Sequence, residues 1–277
     1  MLLQFKDKKL NLDSPRIMGI LNVTPDSFSD GGLYLNTDNA LRQAQLMIEQ
    51  GADIIDIGAE STRPGSDGVS DEIQLERLSH LTRAISSNFD TIISIDTSSP
   101  FVMTECVRDG AHMWNDIRAL QEDGAVETCA KLGIPVCLMH MQGTPRSMQV
   151  NPTYDDVVKE VSDFLVQRAD VCISHGIKKE NIIIDPGFCF GKNATDNYRL
   201  LSNLDKLCSL GFVLLSALSR KSMLGYATGI DKPADRITAS VSGAVISVLK
   251  GASIVRVHDV KETKEALDVA AQVLLNP

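Results

Sequence analysis

The sequence predicts an α/β fold of the (β/α)8 barrel type, on three observations. Short apolar runs alternate with amphipathic segments from one end of the chain to the other. There are eight such runs, rich in β-branched residues and mostly without polar alternation, as parallel strands buried on both faces require. The length of 277 residues suits one such barrel, which takes about 250, and no Pro/Gly/Ser linker or change of composition divides residues 1–277 into separate domains.

Residues 2 to 13 precede the first unit and read as a short hairpin or plug at the bottom of the barrel. The runs then begin at Ile17 (IMGIL), Ile54 (IIDIG), Ile92 (IISI), His112 (HMWN), Val136 (VCLM), Ile182 (IIID), Phe212 (FVLLS) and Ile254 (IVRV). Helix punctuation lies between them. Leu41 to Gln50 stops at Gly51, a residue suited to a helix C-terminus. Asp259 with Glu262 reads as a capping pair for a last helix whose Leu267, Ala270, Ala271 and Leu274 share a face. Two connections exceed the ~2 to 6 residues usual after a strand: Asn22 to about Asn39, and Glu60 to about Asp71. Both carry Pro, Gly and hydroxyl residues, the first also Phe28, and suit lids over a substrate.

Composition excludes several classes. With 43% apolar and 23% charged residues the chain can bury a sizeable core. The net charge of −9 sets the overall field against nucleic acid, anionic membranes and anionic substrates, so any anion needs a local basic cluster. No uncharged apolar run reaches the ~18 residues of a membrane helix, and Lys6, Asp7, Lys8 and Lys9 stand where a signal peptide would be apolar. A cytoplasmic protein is expected. The six cysteines show no C-x-x-C and read as buried free thiols.

In a barrel, chemistry belongs at the carboxyl ends of the strands. The residues that close the runs are Asn22, Asp56 with Glu60 to Arg63, Asp96, Asn115, His140, Asp185, Lys221, and Arg256 with His258. The set contains acids for a polar heterocycle and bases for an anion. Arg256 and His258, two apart on a strand, share a face. GFCFGKN, from Gly187 to Asn193, imitates a phosphate loop but has three residues between its glycines instead of four, and Asn193 where Ser or Thr should bind metal.

The blocks NVTPDSFSDGG, ESTRPGS, SIDTS, NDI, MHMQGTP, DPGFCFGK, SRKSM and RVHDV, in that order, resemble the motif set of the dihydropteroate synthase family from Ile17 almost to the end. The resemblance implies a single TIM barrel that condenses 4-aminobenzoate with 6-hydroxymethyl-7,8-dihydropterin diphosphate, assisted by Mg2+, in a homodimer. It implies pterin contacts from Asp96, Asn115, Asp185, Lys221 and Arg256, and diphosphate contacts from Asn22, Arg63, Arg256 and His258. It implies a metal contact at Asn22, and an aminobenzoate slot walled by Phe28, Thr62, Pro64 and Phe190 with Ser222 at the carboxylate. The catalytic work would fall to Lys221, Asn22, Arg63, Arg256 and His258, with no covalent nucleophile. Cys189 and Ala217 stand where the family usually has glycine. Two rivals share the fold: a pterin-dependent methyltransferase, which has no use for the two long loops, and a catalytically silent pterin-binding paralogue.

Overall fold

The computed structural model describes residues 2–23, 33–60 and 68–276, with side chains of the first helix from residue 37 onward. A two-stranded antiparallel hairpin, β1 (Leu2–Phe5) and β2 (Lys8–Asn11), opens the chain. Eight parallel strands follow: β3 (Arg16–Asn22), β4 (Ile54–Gly58), β5 (Ile92–Asp96), β6 (Met113–Asp116), β7 (Val136–Met139), β8 (Ile182–Asp185), β9 (Val213–Ser216) and β10 (Ile254–Val257). They pair in sequence order, and β10 returns to β3 to close the barrel. The helices around it are α1 (Leu33–Glu49), α2 (Asp71–Asn88), α3 (Pro100–Arg108), α4 (Ala125–Leu132), α5 (Val157–Ser174), α6 (Ala194–Ser202), α7 (Leu204–Cys208), α8 (Ser222–Thr228), α9 (Ile237–Leu249) and α10 (Val260–Leu275). No helix among the described residues is long and apolar enough to cross a membrane.

Each strand alternates between two environments. Its outward residues, such as Ile55, Ile57, Ile93, Ile95, Leu138 and Ile184, pack with Leu78, Ile85, Val102 and Leu165 of the helices in one apolar layer. The inward residues near the strand starts, Met18, Ile54, Ile92, Met113, Cys137, Ile183 and Ile254, form a second cluster inside the barrel. Leu3, Phe5 and Leu10 of the hairpin pack against this inner cluster, which makes β1 and β2 the expected plug. Two residues further along, the same inward face changes character: Ile54 is followed by Asp56, Ile92 by Ser94 and Asp96, Met113 by Asn115, Ile183 by Asp185, and Ile254 by Arg256. The period of two carries these polar side chains to the carboxyl end of the barrel interior.

Four expectations need correction. Helix α1 begins at Leu33, ahead of the expected Asn39, because Asp38 and Asn39 ride on its exposed side. Asp259 does stand at the start of α10, but its side chain makes no cap bond and instead binds Arg220 through two bonds of 3.1 and 2.5 Å. On α10, Leu267 and Ala270 are buried while Leu274 is exposed. The cysteines are all free, but Cys189 and Cys208 are only half-buried.

Candidate active site

The centre of the barrel mouth is an ionic cluster held by three strands. Arg256 of β10 donates from Nε to Asp56 Oδ2 at 2.6 Å and from Nη2 to Asp96 Oδ2 at 2.8 Å. Asn115 Nδ2 donates to the same Asp56 oxygen at 3.1 Å. Two bonds from one guanidinium fix its plane, which a lysine ammonium could not do. Asp56 is fully buried, so the Arg256 charge is what permits it to stay there. Burial pushes the Asp96 carboxyl well above its usual range, against the pull of Arg256 and with the help of Asp56 and Asp116. Against the cost of its own burial, Asp56 and Asp96 hold Arg256 firmly protonated.

On the opposite wall, β8 ends in Asp185, whose Oδ1 accepts the Gly187 N–H at 2.7 Å. Burial raises this carboxyl too, while Lys221, the Gly187 N–H and Lys192 oppose the rise. Lys221 precedes α8, and burial lowers its ammonium against the attraction of Asp185. Its Nζ lies 4.8 Å from the centre of the Phe190 ring, a cation–π contact. Ser222 opens α8 and is exposed. His258 follows β10, with Nδ1 2.9 Å from Ser219 Oγ, which also accepts the His258 backbone N–H at 3.2 Å. Asn22 ends β3, half-buried. Asn22, Gly58 and Asp96 are register partners on β3, β4 and β5, and a Cβ built on that glycine would lie 3.5 Å from Asn22 Oδ1 and 3.7 Å from Asp96 Oδ2.

The expected residues Asp96, Asn115, Asp185, Lys221 and Arg256 therefore line one end of the barrel, with Asn22, Phe190, Ser222 and His258 around them. Phe28, Thr62, Arg63 and Pro64 lie outside the described residues. Two groups had no assigned role in the sequence reading. Asp56 was visible as a lone carboxylate in the apolar run IIDIG, and only barrel closure shows it to be the anchor of Arg256 and Asn115. Lys192 belongs to the segment that imitates a phosphate loop; its ammonium is buried among carbonyls of its own loop, at 2.8 Å from Gly187 O and 3.0 Å from Phe190 O. Cys189, where the resemblance implies glycine, takes φ +66°, a conformation that costs a residue with a Cβ roughly 1 kcal/mol. Ala217, the other departure, packs into the inner apolar cluster.

Comparison with known proteins agrees with this fold. Residues 18–258 match the family model described as "Pterin binding enzyme". The dihydropteroate synthase of Haemophilus influenzae is 53% identical over 97% of this chain and 98% of its own length. The structure of the Yersinia pestis dihydropteroate synthase with a sulfonamide drug superposes with a TM-score of 0.95 at 48% identity, covering 99% of this chain and 100% of that one. That of Xanthomonas albilineans with 4-aminobenzoic acid has a TM-score of 0.95 at 43% identity, covering 100% and 99%. A closed barrel with a carboxylate, amide and guanidinium cluster at its carboxyl end, matched along almost its whole length, makes this chain a member of the pterin binding enzyme family and, within it, of the dihydropteroate synthases.

Proposed function

We infer that the chain condenses 4-aminobenzoate with 6-hydroxymethyl-7,8-dihydropterin diphosphate, releasing diphosphate and forming 7,8-dihydropteroate. The observation that carries the reading is the set of buried Asp56, Asn115 and Asp185 with half-buried Asp96, Lys221 and Arg256 at one end of a barrel similar to dihydropteroate synthases over its length. A pterin offers adjacent N–H donors on its 2-amino-4-oxo edge, and the Asp185 carboxylate accepts them as a fork. Asn115 and Asp96 serve the rest of the ring edge. Lys221 donates to the pterin carbonyl and ring nitrogen, and the Arg256 guanidinium, held flat by Asp56 and Asp96, covers the ring face. Asn22, Arg63, Arg256 and His258 supply the basic and polar contacts that the diphosphate needs against a net charge of −9.

The C–O bond between the methylene and the diphosphate breaks as the electron-rich dihydropterin spreads the developing positive charge, and the aminobenzoate nitrogen adds to the carbon. The ammonium so formed loses its proton, and diphosphate leaves with the bonding pair. The cations around the diphosphate stabilise that departure. No covalent nucleophile is needed, in keeping with the thiols: burial pushes Cys172 up to about 11 and Cys106 up to about 12. The second substrate occupies a slot of Phe28, Thr62, Pro64 and Phe190, with its carboxylate at Ser222 and neighbouring backbone N–H groups. A sulfonamide would compete for that slot.

Mg2+ suits this donor set as an ion shared with the substrate. Asn22 Oδ1 is a hard neutral oxygen at the end of β3, with the Asp96 carboxylate beyond Gly58 two strands along, and among the described residues no three His, Cys, Asp or Glu side chains gather into a closed metal cage. Mg2+ commonly keeps several waters and binds through one or two protein oxygens plus substrate phosphates. Bound there, it would neutralise charge on the leaving diphosphate. Residence in the cytoplasm accords with six free cysteines. A homodimer accords with the exposed apolar side chains Ile246 and Leu249 on α9 and Val269 and Val273 on α10.

The test follows diphosphate release from the pterin substrate with Mg2+, with and without 4-aminobenzoate, and dihydropteroate by mass. Release that depends on aminobenzoate and yields dihydropteroate is expected, and Lys221→Ala and Asp185→Asn should lose pterin binding while remaining folded. A folded chain that binds the pterin diphosphate and never releases diphosphate would instead be a silent paralogue.

A further inference from the structure

The segment after β8 runs from Pro186 to Lys192 without helix or strand, and alternate residues are left-handed: φ is +66° at Gly187, +66° at Cys189 and +65° at Gly191. Such a path leaves carbonyls with no ladder to join, and buried carbonyls require donors. Side chains supply them. Gln149 Nε2 donates to Cys189 O at 2.5 Å, Tyr154 OH to Gly191 O at 2.7 Å, and Asn197 Nδ2 to Lys192 O at 3.1 Å. The hub is Lys192. Its Nζ reaches Gly187 O at 2.8 Å, Phe190 O at 3.0 Å, His140 O at 3.3 Å and His140 Nδ1 at 2.9 Å, and the residue is 2% exposed.

An ammonium has three donors and no acceptor, so the four acceptor atoms around it give every N–H a partner and leave it facing no other donor. Burial lowers Lys192 to about 7 against the attraction of Asp185. Burial and the Lys192 charge keep His140 neutral, which leaves its Nδ1 able to accept. The two loop carbonyls that Lys192 holds are the ends of one turn, closed by Phe190 N–H to Gly187 O at 3.0 Å. Phe190 in turn lies against the Lys221 ammonium at 4.8 Å.

We propose that Lys192 is a positioning residue for the aminobenzoate half of the reaction: by tying the Gly187 and Phe190 carbonyls to His140 it holds the Phe190 ring in place as a wall of the slot. The proposal rests on the reading of Phe190 as part of that slot. Lys192 itself touches no substrate. Of the pterin contacts, Asp96 and Asn115 sit on β5 and β6, away from this turn, while Asp185 ends β8 just before it and is held by the Gly187 N–H and not by the Lys192 ammonium.

Lys192→Met keeps most of the side-chain volume and removes the donors. The expected result is a rise of about tenfold or more in KM for 4-aminobenzoate, the scale of a few buried acceptors left unpaired, with a change below about threefold in the Kd of pterin diphosphate measured calorimetrically without aminobenzoate. Combined with Phe190→Leu the effects should not add, the double variant keeping the aminobenzoate KM of Phe190→Leu alone. Lys192→Gln serves as the second variant where Lys192→Met fails to fold. Unchanged KM in a folded variant, parallel loss of both substrates, additive effects, or loss of the fold in both variants would each overturn the positioning role. Should Phe190→Leu itself leave the aminobenzoate KM untouched, the slot assignment would be at fault; should it raise KM while neither Lys192 variant does, the Lys192 proposal alone would fall.

Discussion

At the scale of single residues, the site is a balance of buried charges. Asp56 has no exposure, and removing its Arg256 partner would strand a carboxylate in the barrel at a cost of roughly 3–5 kcal/mol. The glycine at 187 is equally constrained, since a Cβ there would lie 1.9 Å from His140 O and φ is +66°. His140 gives a pH signature. Burial and the Lys192 charge lower its imidazole from 6.5 to about 3. A base depressed on folding binds fewer protons in the native state between those values, so its contribution to stability is fully present above about pH 6.5 and is lost as pH falls toward 3. His140→Gln removes that dependence. Between pH 7 and 5 the parent should therefore lose ~2 kcal/mol more unfolding free energy than the variant. Urea titrations at the two pH values check this, and equal losses would count against a buried neutral imidazole.

At the scale of elements, the strands were the most legible features. Every run named from the sequence begins within one residue of an observed barrel strand, because strands buried on both faces need continuous apolar residues that no loop would carry. Caps and helix starts were less legible. Asp259 stands at the helix start that its spacing with Glu262 suggests, yet its carboxylate is taken by Arg220, a residue 39 positions away whose approach depends on the fold. The hairpin β1–β2 was legible as a plug only through its position before the first unit; Phe5, 0% exposed, is what fills the barrel bottom. Phe5→Ala should cost ~3–5 kcal/mol by urea unfolding. Because the hairpin lies at the end opposite Asp96 and Asp185, the aminobenzoate KM of the folded variant should stay at the parent value, and a shift in KM would mean that the plug communicates with the site.

At the scale of the whole molecule, polarity is sorted along the barrel axis: apolar side chains fill one end, charged and amide side chains the other. The outside is sorted too, since α9 and α10 pack together and leave Ile246, Leu249, Val269 and Val273 on the surface. If that face joins two copies, Val269→Glu should convert the dimer to monomer in analytical ultracentrifugation, since an unpaired charge in an apolar interface loses its hydration. An unchanged mass would place any dimer contact elsewhere. The net charge of −9 makes the bases at the barrel mouth, such as Lys221 and Arg256, all the more important, as they set a local positive field against the overall one.

By itself the sequence determined the alternation of strands and helices, the hairpin before them, the family motifs and the polar residues that end the strands. All of these are local in the chain, written in periods of two and in short blocks. Only the tertiary structure decided the partnerships: that Arg256 binds Asp56 and Asp96, 200 and 160 residues away, and that Lys192 turns back to its own loop and to His140. The reason is geometric. Which buried charges meet is set by the register of eight strands and by closure between β10 and β3, and each buried charge must find a partner within hydrogen-bonding reach.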